Sequence, residues 1–262
     1  MHARAEGIVV HDLRRPLPFP DNTFDVVYHS HTLEHFDAEQ GLQLMRECHR
    51  VLTPRGIIRV VVPDLEQIAR SYVAALEEAS RSAAPTAIAN HEWMLIEMTD
   101  QLARHRPGGE QDRYIAKSPL VNAAFVVGRW GPEGRGYIEH LQRQHESGEM
   151  GERPTPKLFR RLTQFRKYPS YLKEVALMVL LGAGYSTWAL GRYRLSGDVH
   201  LYMYDRFNLR RLFAQCGFEG VVQRAGLKSY VENWRRFNLD NEPDGSLYRP
   251  VSLFMEGIKP GV

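Results

Sequence analysis

Cysteine is scarce in this chain: Cys48 and Cys216 are the only two among 262 residues. Both lie in segments with helical spacing and neither belongs to a metal-ligand spacing, which excludes a cysteine-built zinc module and a disulfide scaffold. Two free thiols fit a reducing compartment, so a cytoplasmic location is expected. Long apolar runs are lacking as well. The start, Met1-His-Ala-Arg-Ala-Glu6, has no apolar signal region. The longest apolar stretch, Val175 to Leu190, has 16 residues and contains Gly182, Gly184, Ser186 and Thr187. It falls short of the ~20 residues that a membrane-crossing helix needs, and a soluble or membrane-surface protein is expected. Charge of one sign is also missing, since 34 Lys and Arg against 31 Asp and Glu leave a formal +3. That excess does not by itself indicate nucleic acid, and no nucleic-acid recognition motif is present. What remains is an ordinary globular composition, 43% hydrophobic and 25% charged, with a length that permits one large domain or a core carrying an insertion.

Hydrophobic patterning predicts alternating elements at both ends of the chain. Ile8 to Leu13 and Phe24 to Tyr28 are β-branched runs separated by a Pro-rich loop that ends in Asp21-Asn22, and both read as strands. Asp37 with Gln40 three residues on is a helix-start signal, followed by Leu42, Met45, Cys48 and Leu52 at helical spacing. Ile57 to Val62 is apolar except for Arg59, which suits a strand covered on both faces. Asp64 with Gln67 repeats the start signal, and Leu65, Ile68, Tyr72 and Leu76 continue it as a helix. Strand, helix, strand, helix predicts an α/β layered fold. From Ala84 to Leu195 helical segments dominate, broken by Pro107-Gly-Gly109, Gly131-Pro132 and Pro154-Thr-Pro156. The α/β pattern then returns, with a helix capped by Asp205 and strands at Phe218 to Gln223 and Leu253 to Ile258. The expected organisation is a core at 1–83, a helical insertion or cap at 84–195, and a return to the core at 196–262.

The segment Val10-His-Asp12-Leu13, followed by Leu17-Pro-Phe-Pro-Asp-Asn-Thr-Phe-Asp25 and continuing to Glu34, resembles the second half of a class I S-adenosylmethionine-dependent methyltransferase core, of the type 11 kind. The resemblance implies a Rossmann-like methyltransferase sandwich that uses S-adenosylmethionine. Asp12 then corresponds to the carboxylate that accepts from the adenine amino group, and Leu13 to the residue whose backbone meets the ring. His29 and Ser30 lie where the fourth strand opens toward the methionine part of the cofactor. His31, Asp64 at the tip of the fifth strand, and Tyr204 fall on the acceptor side. The family's acidic residue and Gly-x-Gly loop, which approach the cofactor with bare backbone, do not precede Ile8. The chain is therefore expected to begin inside the fold. Gly182-Ala-Gly184 lacks the acidic residue before it and follows a helical segment, so it does not supply that loop.

Gly197 to Asp205 gathers His200, Tyr202, Tyr204 and two carboxylates. A similar His and Met-Tyr-Asp phrase occurs in bacterial polysaccharide and cell-envelope methyltransferases, which implies O-methylation of a saccharide or cell-envelope precursor, with His200 as the general base. His31-Thr-Leu-Glu34-His35 fits the H-x-x-E-H pattern of inverted zinc peptidases. That chemistry needs both histidines on one helix, whereas this segment follows a strand, so zinc hydrolysis is the lesser alternative. Glu34 and His35 also resemble the metal pair of methyltransferases that hold a divalent ion, but those carry a further glutamate where this chain has His31, and no metal is expected. Between Arg153 and Lys173 seven Lys or Arg occur with no acidic residue. With the apolar stretch after it, 153–190 suits peripheral contact with a membrane surface. A homo-oligomer is compatible with the sequence, as is a non-catalytic partner-subunit role if the cofactor is not bound.

Overall fold

The computed structural model describes residues 7–146 and 169–261. These residues divide into two compact units, one of 7–74, 128–132 and 200–261, the other of 75–127, 133–146 and 169–199.

The first unit is built on strands β1 (Phe24–Ser30), β2 (Leu52–Pro63), β3 (Glu219–Arg224) and β4 (Ser252–Ile258), in the order β1-β2-β4-β3. β1 and β2 are parallel, and α1 (Ala38–Val51) connects them. β4 is antiparallel to both β2 and β3, so β1, β2 and β3 all point the same way. Their carboxyl ends therefore share one edge of the sheet. α1 starts where Asp37 accepts from the Gln40 N–H at 2.8 Å, as its sequence signal predicts. Helix α2 (Leu65–Arg81) begins at Asp64, whose Oδ1 accepts from the Gln67 N–H at 3.1 Å.

Alternation along β2 sorts its residues onto two faces. Ile58, Val60 and Val62 pack with Leu44, Met45 and Cys48 of α1 and with Leu209, Leu212 and Phe213 of the core helix Arg206–Gln215. Gly257 of β4 lies against that helix, where a Cβ would meet the Phe213 ring at 2.8 Å. On the opposite face, Arg59 is fully buried and holds the segment after β3. Its Nε donates to Asp240 Oδ2 at 2.7 Å and its Nη1 to Glu256 Oε1 at 2.8 Å, while Gly226 and Lys228 offer carbonyls at 2.8 and 3.0 Å. Trp234 lies under the guanidinium at 4.9 Å and donates Nε1–H to Asp240 at 2.8 Å.

The expected strand at Ile8 to Leu13 does not form. These residues are irregular, with Ile8, Val9 and Val10 exposed by 60, 58 and 81%. β-branching favours a strand only where a neighbour completes the ladder. The second difference is at the sheet face. The apolar run of β2 predicts helices on both sides, whereas helices cover one face and the irregular segment around Trp234 covers the other.

The second unit is helical among its described residues. It contains α3 (Pro85–Ala103), α4 (Gly109–Ile115), α6 (Pro169–Leu181) and α7 (Tyr185–Arg194), with most of α5 (Ala123–Glu146). Buried Asp100 joins α3 to the start of α4, accepting from the Glu110 N–H at 2.7 Å and from Arg104 at 2.6 Å. α5 kinks at Gly131 (φ 75°), where a Cβ would meet the carbonyl oxygen of Tyr248 at 2.6 Å. Among the described residues no helix is long and apolar enough to cross a membrane. The basic stretch from Arg153 lies, up to residue 168, outside the described residues.

Candidate functional site

Open α/β sheets bind ligands beyond the carboxyl ends of their strands, and here that edge gathers most of the polar side chains singled out from the sequence. β1 ends at Ser30. The His31 N–H bonds the Val61 carbonyl at 2.9 Å, and His31 then turns at φ 47°, a left-handed conformation that reverses the chain. A short 3-10 turn, Leu33–His35, follows and points Glu34 inward, with no exposure. A strap from His200 to Tyr204 closes over this turn. Leu201 and Tyr202 donate to the Glu34 carbonyl at 2.8 and 3.2 Å. Tyr204 forms a bridge with Asp64, and its carbonyl accepts from Leu65 at 2.9 Å. The helix after the strap, α8 (Arg206–Gln215), is fixed by a capping box, with Asp205 accepting from Phe207 and Asn208 and donating back to Asn208.

The strap brings together Glu34, His35 and His200. The rings of His35 and His200 meet edge to face at 5.0 Å, and His200 Nε2 lies 4.0 Å from Glu34 Oε1. One ligand atom from each of the three residues lies within 4.8 Å of the others. His31 closes the fourth side, with Nδ1 at 3.2 Å from Glu34 Oε1 and Nε2 at 2.9 Å from Ser252 Oγ. The approach of His31 is within ion-pair distance but off the hydrogen-bond direction, and both Glu34 oxygens are buried without a hydrogen-bond partner among the described residues. Burial opposes ionisation of Glu34. The His31 ring, aided by the charge of His31 and His200, outweighs it and keeps the carboxyl below its ordinary range.

The other residues expected from the sequence fall in different settings. His29 points to the helical face of the sheet, in register with Val60. Both its ring nitrogens are buried without a hydrogen-bond partner among the described residues, and burial pushes its pKa down to about 4 against the pull of Glu34. Ser30 sits on the opposite face, and its carbonyl accepts from Thr32 at 3.1 Å. Asp64 is half-buried at the start of α2, with its pKa raised chiefly by burial. The Tyr204 ring is 3% exposed and packs in the core, so the strap is held by its backbone and its ring together. Asp12 lies in the irregular segment before β1 and grips Arg14 through two side-chain hydrogen bonds of 2.9 Å. Those bonds hold its carboxyl down to about 2, and its side chain stays 38% exposed. Leu13 beside it is 37% exposed.

Two features were not visible in the sequence. One is the spatial pairing of Glu34 and His35 with His200; the H-x-x-E-H spacing and the distant histidine were both legible, but not their meeting. The histidine pair of the peptidase pattern does not form on one helix, because His31 ends the strand turn and only Leu33–His35 is helical. The other is a concavity of about 540 Å³ lined by Arg224, Lys228, Tyr230, Trp234, Arg235 and Arg236. Ser30, Val61, Phe254 and Arg224 form one row across the sheet, which puts Arg224 three strand spacings, about 14 Å, from Ser30.

No curated protein matches the chain. Residues 1–60, which contain Asp12, β1, the Glu34 turn and most of β2, match the family model described as a methyltransferase domain. Through these residues, 60 of 262, the chain resembles the class I S-adenosylmethionine-dependent methyltransferases, a family whose methyl donor is S-adenosylmethionine.

Proposed function

We propose that the protein transfers a methyl group to a hydroxyl oxygen of a saccharide or lipid-linked saccharide. The observation that carries this reading is the Glu34, His35 and His200 group at the carboxyl edge of the parallel strands. An oxygen nucleophile has a proton to lose, and a carboxylate with two imidazoles is a group suited to removing it.

The residues present fit the cofactor on the adenine side. Asp12 is an ionised, accessible acceptor next to exposed Val9, Val10 and Leu13, and one acceptor beside apolar surface is what an adenine amino group and ring take. Asp12 and Leu13 would hold the adenine, and His29 and Ser30 would flank the methionine end. S-adenosylmethionine supplies an electrophilic methyl carbon bound to sulfonium sulfur. The chain's own residues hold the acceptor, exclude water and deal with the hydroxyl proton. His200, 6% exposed and beside Glu34, belongs to the group that takes that proton, and His31 and Asp64 border the acceptor. Positioning of the two reactants supplies much of the acceleration in such a displacement.

The saccharide class rests on the resemblance of the strap sequence, and two surface features support a lipid-linked, phosphate-bearing form. The four cationic residues around the concavity at Arg224 suit a phosphate. Met178, Val179 and Leu180 are exposed by 48, 80 and 80%, consistent with peripheral membrane contact by 153–190. Incubation with methyl-labelled S-adenosylmethionine and a panel of free and lipid-linked saccharides tests the proposal. Label in a base-stable ether is expected. Label found only in an ester or an amine would contradict oxygen methylation of a hydroxyl.

A further inference from the structure

Glu34 presents a problem that the methyl-transfer reading alone does not solve. Its carboxylate is fully buried, both oxygens lack a hydrogen-bond partner among the described residues, and the nearest nitrogen of His31 is off-line at 3.2 Å. The His31 ring offsets the burial of the charge, yet both oxygens keep buried lone pairs that no donor among the described residues fills, and such an acceptor set suits a cation. Two more metal-ligating side chains face the same space. His35 is the next residue on the 3-10 turn, and His200 is brought in by the strap, which is itself fastened to the Glu34 carbonyl.

We infer that Glu34, His35 and His200 form a binding site for one divalent first-row transition-metal ion of the zinc type. Two imidazoles and one carboxylate are a three-ligand set that leaves positions open for an exchangeable oxygen. The ligand atoms lie within 4.8 Å of one another. Ligands at about 2.1 Å from a metal lie at most about 4.2 Å apart, so side-chain rotations on the order of 1 Å close the site. His31 takes the supporting place: bonded to Ser252 through Nε2, it sets its other nitrogen against Glu34 and orients the carboxylate. Hard ions such as magnesium prefer an all-oxygen set and are disfavoured here.

As a metal site the inference stands on the side chains alone. As a step in catalysis it rests on the methyl-transfer reading: the acceptor hydroxyl would bind the ion and release its proton to water, and its oxygen would form the bond to the methyl carbon as the carbon–sulfur bond breaks, the electron pair going to sulfur and S-adenosylhomocysteine leaving, with His200 serving as a ligand rather than as the general base.

Tag-free full-length protein, stripped with EDTA, is titrated with Co²⁺ and followed by visible absorption, and Zn²⁺ is then added in competition. One equivalent of Co²⁺ with a d–d band, displaced by Zn²⁺, is expected. His35→Ala, His200→Ala and Glu34→Gln should each weaken binding at least tenfold. Thermal unfolding guards against misfolded variants: the stripped Glu34→Gln protein is expected to melt no lower than stripped wild type, and Zn²⁺ should raise the melting point of wild type but not of the variant. Uptake below a tenth of an equivalent, or variants that bind as wild type does, overturns the site. S-adenosylhomocysteine titrated into the stripped protein separates the two claims. Cofactor binding without metal uptake sinks the metal site alone, and metal uptake without cofactor binding sinks the methyl-transfer reading and upholds the site.

Discussion

Replacing Arg59 with methionine removes a buried cation that reaches both Asp240 and Glu256 beneath the sheet, and the structure allows the cost to be worked out group by group. Glu256 keeps the Ser229 hydroxyl, the Tyr230 N–H at 2.7 Å and Arg224 Nε at 3.1 Å. Asp240 keeps the Tyr28 hydroxyl at 2.7 Å and Trp234 Nε1 at 2.8 Å, both neutral donors. The damage therefore concentrates on Asp240, a carboxylate 1% exposed that loses its charge partner, while the carbonyls of Gly226 and Lys228 lose their donors. Breaking a buried ion pair from one side costs about 3–5 kcal/mol, and about 4 kcal/mol is expected for Arg59→Met. Much of the ~5–15 kcal/mol that holds a domain together is then gone. Asp240→Asn in the same chain removes the stranded charge, and the double variant should recover about half of the loss. Urea unfolding followed by tryptophan fluorescence measures both, with the midpoint moving at unchanged slope. A single variant that loses less than about 1 kcal/mol, or a second substitution that restores nothing, would refute the account of this face.

Two further outcomes follow from the site and its supports. His29 titrates at about 4 when folded, against an ordinary 6.5, so between those values the unfolded chain binds more protons and stability falls as pH drops. The His29 contribution to that fall is about 2 kcal/mol from pH 7 to 5 and about 3 kcal/mol to pH 4; the stability gap between wild type and His29→Gln should change by that amount over the same range, and a pH-independent gap would show the ring to be solvated. Asp205→Ala removes two acceptor bonds at the start of α8 and should lower stability by about 1 kcal/mol in the same urea assay, with Asp205→Asn restoring most of it.

The parts of the fold that were legible in the sequence are those where a local signal and tertiary packing agree. Asp37 and Asp64 start helices where their spacing places them, and the run from Ile57 to Val62 is the buried strand at the centre of the unit. Arg59 interrupts that run because the face it points to holds carboxylates rather than a helix. Nothing local to β2 encodes that face; its partners come from about 170 to 200 residues away, at Gly226, Asp240 and Glu256. Ile8 to Val10 shows the opposite failure, strong β-branching without a ladder. At the site, Ser30, His31, Glu34 and His35 could be assigned to a strand end by order alone. The approach of His200 to Glu34 depends on two backbone bonds from the strap to a single carbonyl, a contact without periodicity or composition to announce it.

The most direct test of the central claim is a calorimetric titration of the full-length protein with S-adenosylhomocysteine, the product left after methyl transfer. One site per chain, weakened when Asp12 is replaced by alanine, is the result the account predicts. No heat and no thermal shift at millimolar ligand would contradict it, leaving a chain that resembles a methyltransferase without holding its cofactor.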